Sequence, residues 1–349
     1  MMLNYDEIFS LSPFALRQEQ KDALYETAIQ ELTAYHRARC ELYRRITDIA
    51  GAGAPLPVRL FKEYDLLSVP REEIVKTMSS SGTTGQRVSK IYLDRATSAR
   101  QSKALTKIVS DFTGKTRLPM LIIDSPSVLK NREMFSARGA GILGFSMLGT
   151  DRAYALNERM ELDLDGIFTF LDRHAGARLL LFGFTFMIWQ YFCKALAERG
   201  VKLQMEGVLI HGGGWKKLAD QKISDQMFKT LVADTTGIQR VYNYYGMVEQ
   251  TGSIFMECEY GHLHASLYSD VIIRKPYDFS IAKVGEPGLI ELRSVLPTSY
   301  PGHVLLSEDE GEILGVDDCP CGRKGKYFKI HGRIKGAELR GCSDTYERR

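Results

Sequence analysis

A chain of 349 residues with 46 Lys and Arg against 43 Asp and Glu carries a formal charge of +3. That near-balance gives no electrostatic footprint for nucleic acid or an anionic membrane, so function must be sought in local constellations. The length suffices for a sizeable core shared by two or three packed subdomains. At the N-terminus, Met1-Met2-Leu3-Asn4-Tyr5 lacks a basic stretch followed by an apolar one, so no secretory signal is read and a cytoplasmic location is expected. Residues 1–75 read as a helical lead-in packed on the core. Within it Gln18 to Ala50 follows a helical pattern, with Leu24, Ile29, Leu32 and Tyr35 near one face and Gly51 as C-cap.

Residues 76–252 alternate short apolar runs with amphipathic helices. Strands are predicted at Leu118 to Ile123, Leu179 to Phe184 and Gly207 to Ile210, with helices reaching Arg199 and starting near Trp215. This alternation predicts an α/β core with a largely parallel sheet. Leu179 to Cys193 is apolar but interrupted by Gly183 and Gln190, and it falls short of the ~20 residues of a spanning helix. It reads as a buried strand running into a core helix, and no membrane span is expected. Residues 253–335 change to strands with few helices, at Val271 to Arg274, Leu289 to Val295 and Glu312 to Val316, and predict a smaller β-rich subdomain. A short tail, 336–349, closes the chain.

Six cysteines in a chain of this length are too sparse for the disulfide framework of a small secreted domain, and free thiols are expected. Cys258, Cys319 and Cys321 sit among turn residues together with His262 and His264. Three thiolates and one imidazole suit tetrahedral zinc, and four protein ligands would make a closed, structural site. The alternative is a set of free structural thiols, because Cys-x-Cys is less diagnostic than Cys-x-x-Cys.

The run Ser79-Ser80-Ser81-Gly82-Thr83-Thr84-Gly85 offers backbone N–H groups and hydroxyls to phosphate oxygens. It lacks the Gly-Lys-Ser/Thr of a Walker loop, and alone it would also fit a plain Ser/Gly turn. Asn243-Tyr244-Tyr245-Gly246-Met247-Val248-Glu249 follows a predicted strand, so an aromatic face, a tight turn and a carboxylate lie at its carboxyl end, where α/β sheets build ligand sites. Tyr245 can stack on a purine and Glu249 can hold magnesium on phosphate oxygens; a core tyrosine pair with a solvated glutamate is the plainer alternative. Between the two lies His211-Gly212-Gly213-Gly214-Trp215, whose glycines admit a flat base close to the backbone or simply turn a strand into a helix.

Ser-Ser-Gly-Thr-Thr-Gly followed by Tyr-Gly-x-x-Glu resembles the phosphate loop and adenylate motif of the acyl-adenylate-forming superfamily, from about Ser79 onward. The resemblance implies the large N-terminal portion of such an enzyme with ATP and Mg²⁺ as cofactors. It implies that His211 to Gly214 line the adenine and that Asp309, or its neighbour Glu308, binds the ribose. It assigns Arg333 and Lys335 to the hinge, the arginine reaching ribose or phosphate. Cysteines with a Gly-x-His also occur in the phenylacetate-CoA ligase branch, where they bind a structural metal. That likeness implies Cys258, His264, Cys319 and Cys321 as ligands, with His262 in reserve. Ordinary ligases of the superfamily continue beyond the hinge into a mobile lid; here the chain ends at Arg349, so the lid is expected to be absent or vestigial.

In its Cys319 to Phe328 run and its tail Ala337 to Asp344 the chain is most similar to the acyl-protein synthetases of bacterial bioluminescence. The likeness implies ATP-dependent activation of a carboxylic acid, with a fatty acid expected, and transfer to a thiol near the C-terminus matched by Cys342. It also implies an acyl reductase or carrier protein as partner. Two other readings remain: an adenylating ligase that donates to CoA or a carrier, and an inactive zinc- and nucleotide-binding scaffold of a reductase complex.

Overall fold

The computed structural model describes residues 3–80, 87–129, 137–213 and 223–334. Ser81 to Gly85, Gly214, Trp215, Lys335 and Cys342 therefore lie outside the described residues. The chain divides into two compact units, of which one holds residues 112–129, 137–213 and 223–244 and the other the remainder of the described chain.

The first unit is built on a parallel sheet in the spatial order Gly149–Tyr154, Leu118–Ile123, Leu179–Phe184, Gly207–Gly212 and Arg240–Tyr245, the last strand belonging here up to Tyr244. Leu181 pairs with Leu121 on one side and Leu209 on the other. Every residue of Leu179–Phe184 and Gly207–Gly212 is buried, as expected where helices cover both faces of a parallel sheet. After Phe184 the chain turns through Thr185–Met187 and a π-helical stretch, Ile188–Cys193, into the helix Lys194–Glu198, as the apolar run predicted. Among the described residues no helix is long and apolar enough to cross a membrane. The helix Leu164–Arg173 is capped by Asp163, which accepts from Gly166 N at 3.0 Å, and Asp225–Thr236 by Ser224, which accepts from Met227 N at 3.1 Å.

The second unit carries an antiparallel sheet ordered Ser269–Arg274, Gly288–Ser294, Val304–Val316, Lys326–Arg333, Leu263–His264 and Phe255–Glu257. Leu56–Pro57 runs parallel beside Val304–Val316. Phe255, Val271, Ile273, Ile290, Leu292 and Phe328 fill its core. A separate hairpin pairs Ile74–Ser79 with Lys90–Asp94 and leads into the helix Arg95–Thr113, which belongs here through Asp111.

The helical lead-in is two helices rather than one. Cys40, with φ −115° and ψ 98°, ends Gln18–Arg39 and starts Glu41–Ala50, and Gly51 at φ 96° closes the second as expected. The buried stripe of the first helix is Gln18, Lys21, Tyr25, Ala28, Leu32 and His36, so of the predicted face only Leu32 is fully buried. Polar partners explain the difference. Lys21 Nζ lies 3.1 Å from Asp270 Oδ1 and donates to Ala265 O at 3.3 Å, while Lys326 Nζ meets Asp270 Oδ2 at 2.7 Å. Burial alone would raise the Asp270 carboxyl, but the two lysines hold it below its ordinary value. The His36 ring stacks on that of His303 at 4.8 Å, and its Nδ1 lies 2.7 Å from Ser68 Oγ.

Candidate adenylate site and metal cluster

The base of the hydroxyl-rich loop is set by the hairpin. Ser79 pairs with Lys90, Ser80 N donates to Ser89 O at 3.0 Å, and Ser89 N donates to Ser80 Oγ at 2.9 Å. The partner strand, Lys90–Asp94, packs against the 3₁₀ turn Val248–Gln250 that carries Glu249. The turn that carries Glu249 thus lies beside the strand that pairs with Ile74–Ser79. Glu249 is largely buried at 8% exposure. Its backbone carbonyl accepts from Tyr300 Oη at 2.9 Å, and the neighbouring Gln250 donates Nε2 to Gly302 O at 2.9 Å and Leu292 O at 3.2 Å.

Tyr245, Asp309 and Arg333 come together in the same unit. Tyr245 Oη donates to Asp309 Oδ2 at 2.7 Å, and Arg333 Nε stands 3.5 Å from Asp309 Oδ1. The register places Asp309 directly opposite Arg333 across the antiparallel pair. Burial, reinforced by the Asp309 carboxylate, raises the Tyr245 phenol well above its ordinary value, so it stays a donor. Glu308 faces other charges, with Arg59 Nε at 3.2 Å and Arg333 at 3.4 Å. The side chains of Glu308 and Asp309, inseparable in the sequence, thus have different settings: Asp309 has the tyrosine, and Glu308 is held between two arginines. The Tyr245 ring also packs against Phe255, centroids 6.0 Å apart, and edge-on to Phe328. Gly246 is exposed just beyond it.

In the parallel unit, His211, Gly212, Gly213 and Tyr244 lie at the carboxyl edge of the sheet. Gly212 is required there because a Cβ would fall inside the Tyr244 ring. Thr185 Oγ1 sits 2.9 Å from His211 Nδ1 and within hydrogen-bond reach of the Gly212 and Gly213 carbonyls, at 3.1 and 2.8 Å. Burial lowers the His211 imidazole to about 3, which keeps it neutral. The Phe182 ring stacks on both Phe145 and Tyr244, and the Phe145 and Tyr244 rings lie tilted with centroids 4.9 Å apart.

The four residues expected to bind a metal converge: the ligand atoms of Cys258, His264, Cys319 and Cys321 lie within 4.8 Å of one another. Cys258 Sγ is 3.9 Å from Cys319 Sγ, and Cys321 Sγ is 3.3 Å from His264 Nε2. His262 approaches from the side, Nδ1 3.3 Å from Cys319 Sγ, and its ring stacks on Tyr327. Buried His264 Nδ1 has no hydrogen-bond partner among the described residues, and burial lowers its imidazole to about 3, the neutral form that ligation requires. Three thiols and an imidazole at this spacing fit a tetrahedral ion.

The sequence assigned no role to the side chains that hold these groups, although Ser299 and Tyr300 stand in the stretch that leads to Asp309. Gln101, Gln250 and the adjacent Ser299 and Tyr300 are buried polar side chains from three segments. No local periodicity marks them; the signals were the adjacency of Gln250 to Glu249 and the place of Ser299 and Tyr300 shortly before Asp309.

The architecture is similar to that of 2-hydroxyisobutyryl-CoA ligase in the postadenylation state with R3-HIB-AMP, with a TM-score of 0.68 at 16% identity over 93% of this chain and 69% of that one. It is likewise similar to the open conformation of that ligase with 2-HIB-AMP and CoA, with a TM-score of 0.67 at 16% identity over 93% and 77% of the two chains. The fold class is thus that of the acyl-adenylate-forming ligases. Within it, a sequence profile of the acyl-protein synthetases, LuxE, matches residues 3–349, and the chain belongs to that family of ligases. Two relatives are the long-chain-fatty-acid–luciferin-component ligases of Vibrio harveyi and Aliivibrio fischeri, each 21% identical over 97% of this chain and covering 91% and 92% of those proteins.

Proposed function

We propose that this protein activates a long-chain fatty acid with ATP as the acyl-adenylate and passes the acyl group to a cysteine thiol. The observation that carries the reading is the packing of Lys90–Asp94, which bases the hydroxyl-rich loop, against the turn bearing Glu249. Ser79 to Gly85 are assigned to the triphosphate, His211 to Gly214 with Tyr244, Tyr245 and Gly246 to the adenine, and Asp309 with Arg333 to the ribose. Asp309 arrives oriented by the Tyr245 hydroxyl, so it accepts from a ribose hydroxyl without first being ordered. A carboxylate oxygen attacks the α-phosphorus, the bond to the β-phosphate oxygen breaks, and pyrophosphate leaves with the electron pair. Magnesium held by Glu249 would neutralise charge on the phosphates. The Cys342 thiolate then attacks the acyl carbon, giving the thioester and AMP, with an acyl reductase as the consumer of the thioester. Lys335 is assigned to the hinge with Arg333.

Zinc is proposed for Cys258, His264, Cys319 and Cys321, as a structural tie between the strands that bear them. The ATP requirement and the free cluster thiols fit a cytoplasmic setting.

ATP–pyrophosphate exchange over a panel of fatty, aryl and amino acids tests the first half. Long-chain fatty acids should support exchange and Glu249→Ala should abolish it; exchange with none of the acids sinks the proposal. Cys342→Ala should spare exchange and remove acyl labelling of the protein, and persistent labelling would move the acceptor elsewhere. Metal analysis should find one zinc per chain, lost in Cys319→Ser together with thermal stability.

A further inference from the structure

The segment Thr298–Gly302 hydrogen-bonds both to the hairpin that carries Ser79 and to the turn that carries Glu249. Toward the loop, Ser299 Oγ donates to Tyr92 O at 2.8 Å, in the strand paired with Ile74–Ser79, and Ser299 N donates to Thr97 Oγ1 at 3.2 Å. Toward the carboxylate, the adjacent Tyr300 donates its hydroxyl to Glu249 O at 2.9 Å. Gln101 Nε2 completes the tyrosine oxygen from the helix Arg95–Thr113 at 3.3 Å. Gly302 continues the clamp by accepting from Gln250 Nε2, and a Cβ at Gly302 would crowd Glu249 O at 3.0 Å.

This interior is more polar than packing alone needs. Tyr300 is fully buried and Gln101 and Gln250 are 3% and 1% exposed, yet the side-chain oxygens of both glutamines have no hydrogen-bond partner among the described residues. A phenylalanine and two leucines would fill the same space without the desolvation cost of those amides, about 1–3 kcal/mol each. These polar groups lie between the strand paired with Ile74–Ser79 and the turn that carries Glu249.

We infer that Ser299 and Tyr300 are positioning residues for adenylation. Ser299 holds Tyr92 in the strand that leads back from the phosphate loop, and Tyr300 holds the backbone of the turn from which Glu249 would reach a magnesium ion. The inference rests on the assignment of Glu249 to magnesium. Magnesium demands near-ideal octahedral geometry, so a small rotation of the turn costs more in catalysis than in folding.

Tyr300→Phe keeps the ring and removes only the donor. Exchange by this variant should show kcat lowered about fivefold, the factor of roughly one hydrogen bond, and a half-saturating Mg²⁺ concentration raised by a similar factor, with the KM for ATP little changed. Ser299→Ala should do the converse, raising the KM for ATP several-fold at an unchanged Mg²⁺ requirement. A purely structural role predicts lower melting temperatures with neither split, and that result overturns the inference. Should Tyr300→Phe fail to fold, Gln101→Leu leaves the tyrosine in place and should shift the Mg²⁺ requirement in the same direction; no shift again overturns it. Glu249→Gln separates the levels. If it stays active, the assignment of Glu249 itself fails and takes this inference with it. If it is inactive while Tyr300→Phe behaves as the native enzyme, only the inference fails.

Discussion

Leu179–Phe184, in the parallel unit, is buried at every position and holds no polar side chain. Val304–Val316, in the antiparallel unit, carries Ser307, Glu308, Asp309, Glu310 and Glu312 through its middle. The first strand is a wall, whose residues answer only to the close packing of a two-faced sheet. The second is a rack, whose charges are placed opposite Arg333 by pairing register and meet Tyr245 and Arg59 through side chains. The antiparallel unit carries these positioned charges; the parallel unit carries Gly212, Gly213 and the Tyr244 ring at its sheet edge.

That contrast predicts different responses to mutation. Lys21→Met leaves Asp270 in a dry site with one of its two cations, and should cost about 3–5 kcal/mol in urea unfolding. A loss below about 1 kcal/mol would show that the polar interior contributes no specific stability. In the parallel unit, Leu181→Ala should cost about 2–5 kcal/mol as a cavity. Its penalty should be the same at every pH, whereas the Lys21→Met penalty should shrink in acid as Asp270 protonates.

Acid gives a graded effect, of which one histidine's share is smaller than the loss from Lys21→Met. Burial lowers His36 and His211 to about 3 and His303 well below its ordinary value. Native histidines with depressed values bind fewer protons than unfolded ones, so stability rises with pH across this window. Their contribution is complete above about pH 6.5 and is lost as pH falls toward 3, at up to about 1.4 kcal/mol per pH unit for each histidine. The stacked pair also faces Tyr43 and Thr33, with Arg39 and Arg293 adding positive field and disfavouring the imidazolium further. Urea titrations between pH 7 and 5 should show this slope, and His36→Leu should remove one histidine's share of it. An unchanged slope contradicts the assignment.

The smallest effect belongs to Tyr245→Phe, which removes one hydrogen bond from Asp309 and should raise the KM for ATP by about fivefold or less with little change in stability. Gly212→Ala sharpens the other side of the comparison: the added methyl displaces the Tyr244 ring, so ATP affinity and stability should fall together.

The wall was legible in the sequence and the rack was not. Leu118–Ile123 and Leu179–Phe184 occur where apolar runs predicted them, because strands buried on both faces are written as uninterrupted apolar residues. Only the end of Val304–Val316 was read as strand, because Ser307 to Glu310 breaks every apolar pattern and pairing alone keeps it extended. The hairpin Ile74–Ser79 with Lys90–Asp94 went unread for a related reason: its first strand is mostly exposed or half-exposed and shows no alternation. At the site, chemistry-bearing residues were legible by type and order. The residues that hold them were not, since a buried tyrosine such as Tyr300 looks like any core aromatic until its hydroxyl has a partner. The polar stripe of Gln18–Arg39 was hidden likewise, because Lys21 and His36 are buried only by partners from distant segments.

The same helix bears on how the chain is made. Its partners Asp270, His303, Asp317 and Lys326 are all translated long after it. At about 5–20 residues per second the ribosome leaves it without a docking surface for about 15 to 60 s. During that interval Lys21 and His36 keep it hydrated, where an apolar stripe would invite association with other nascent chains. A docking face made of paired charges and neutralised imidazoles thus makes a late-closing element safe to synthesise first.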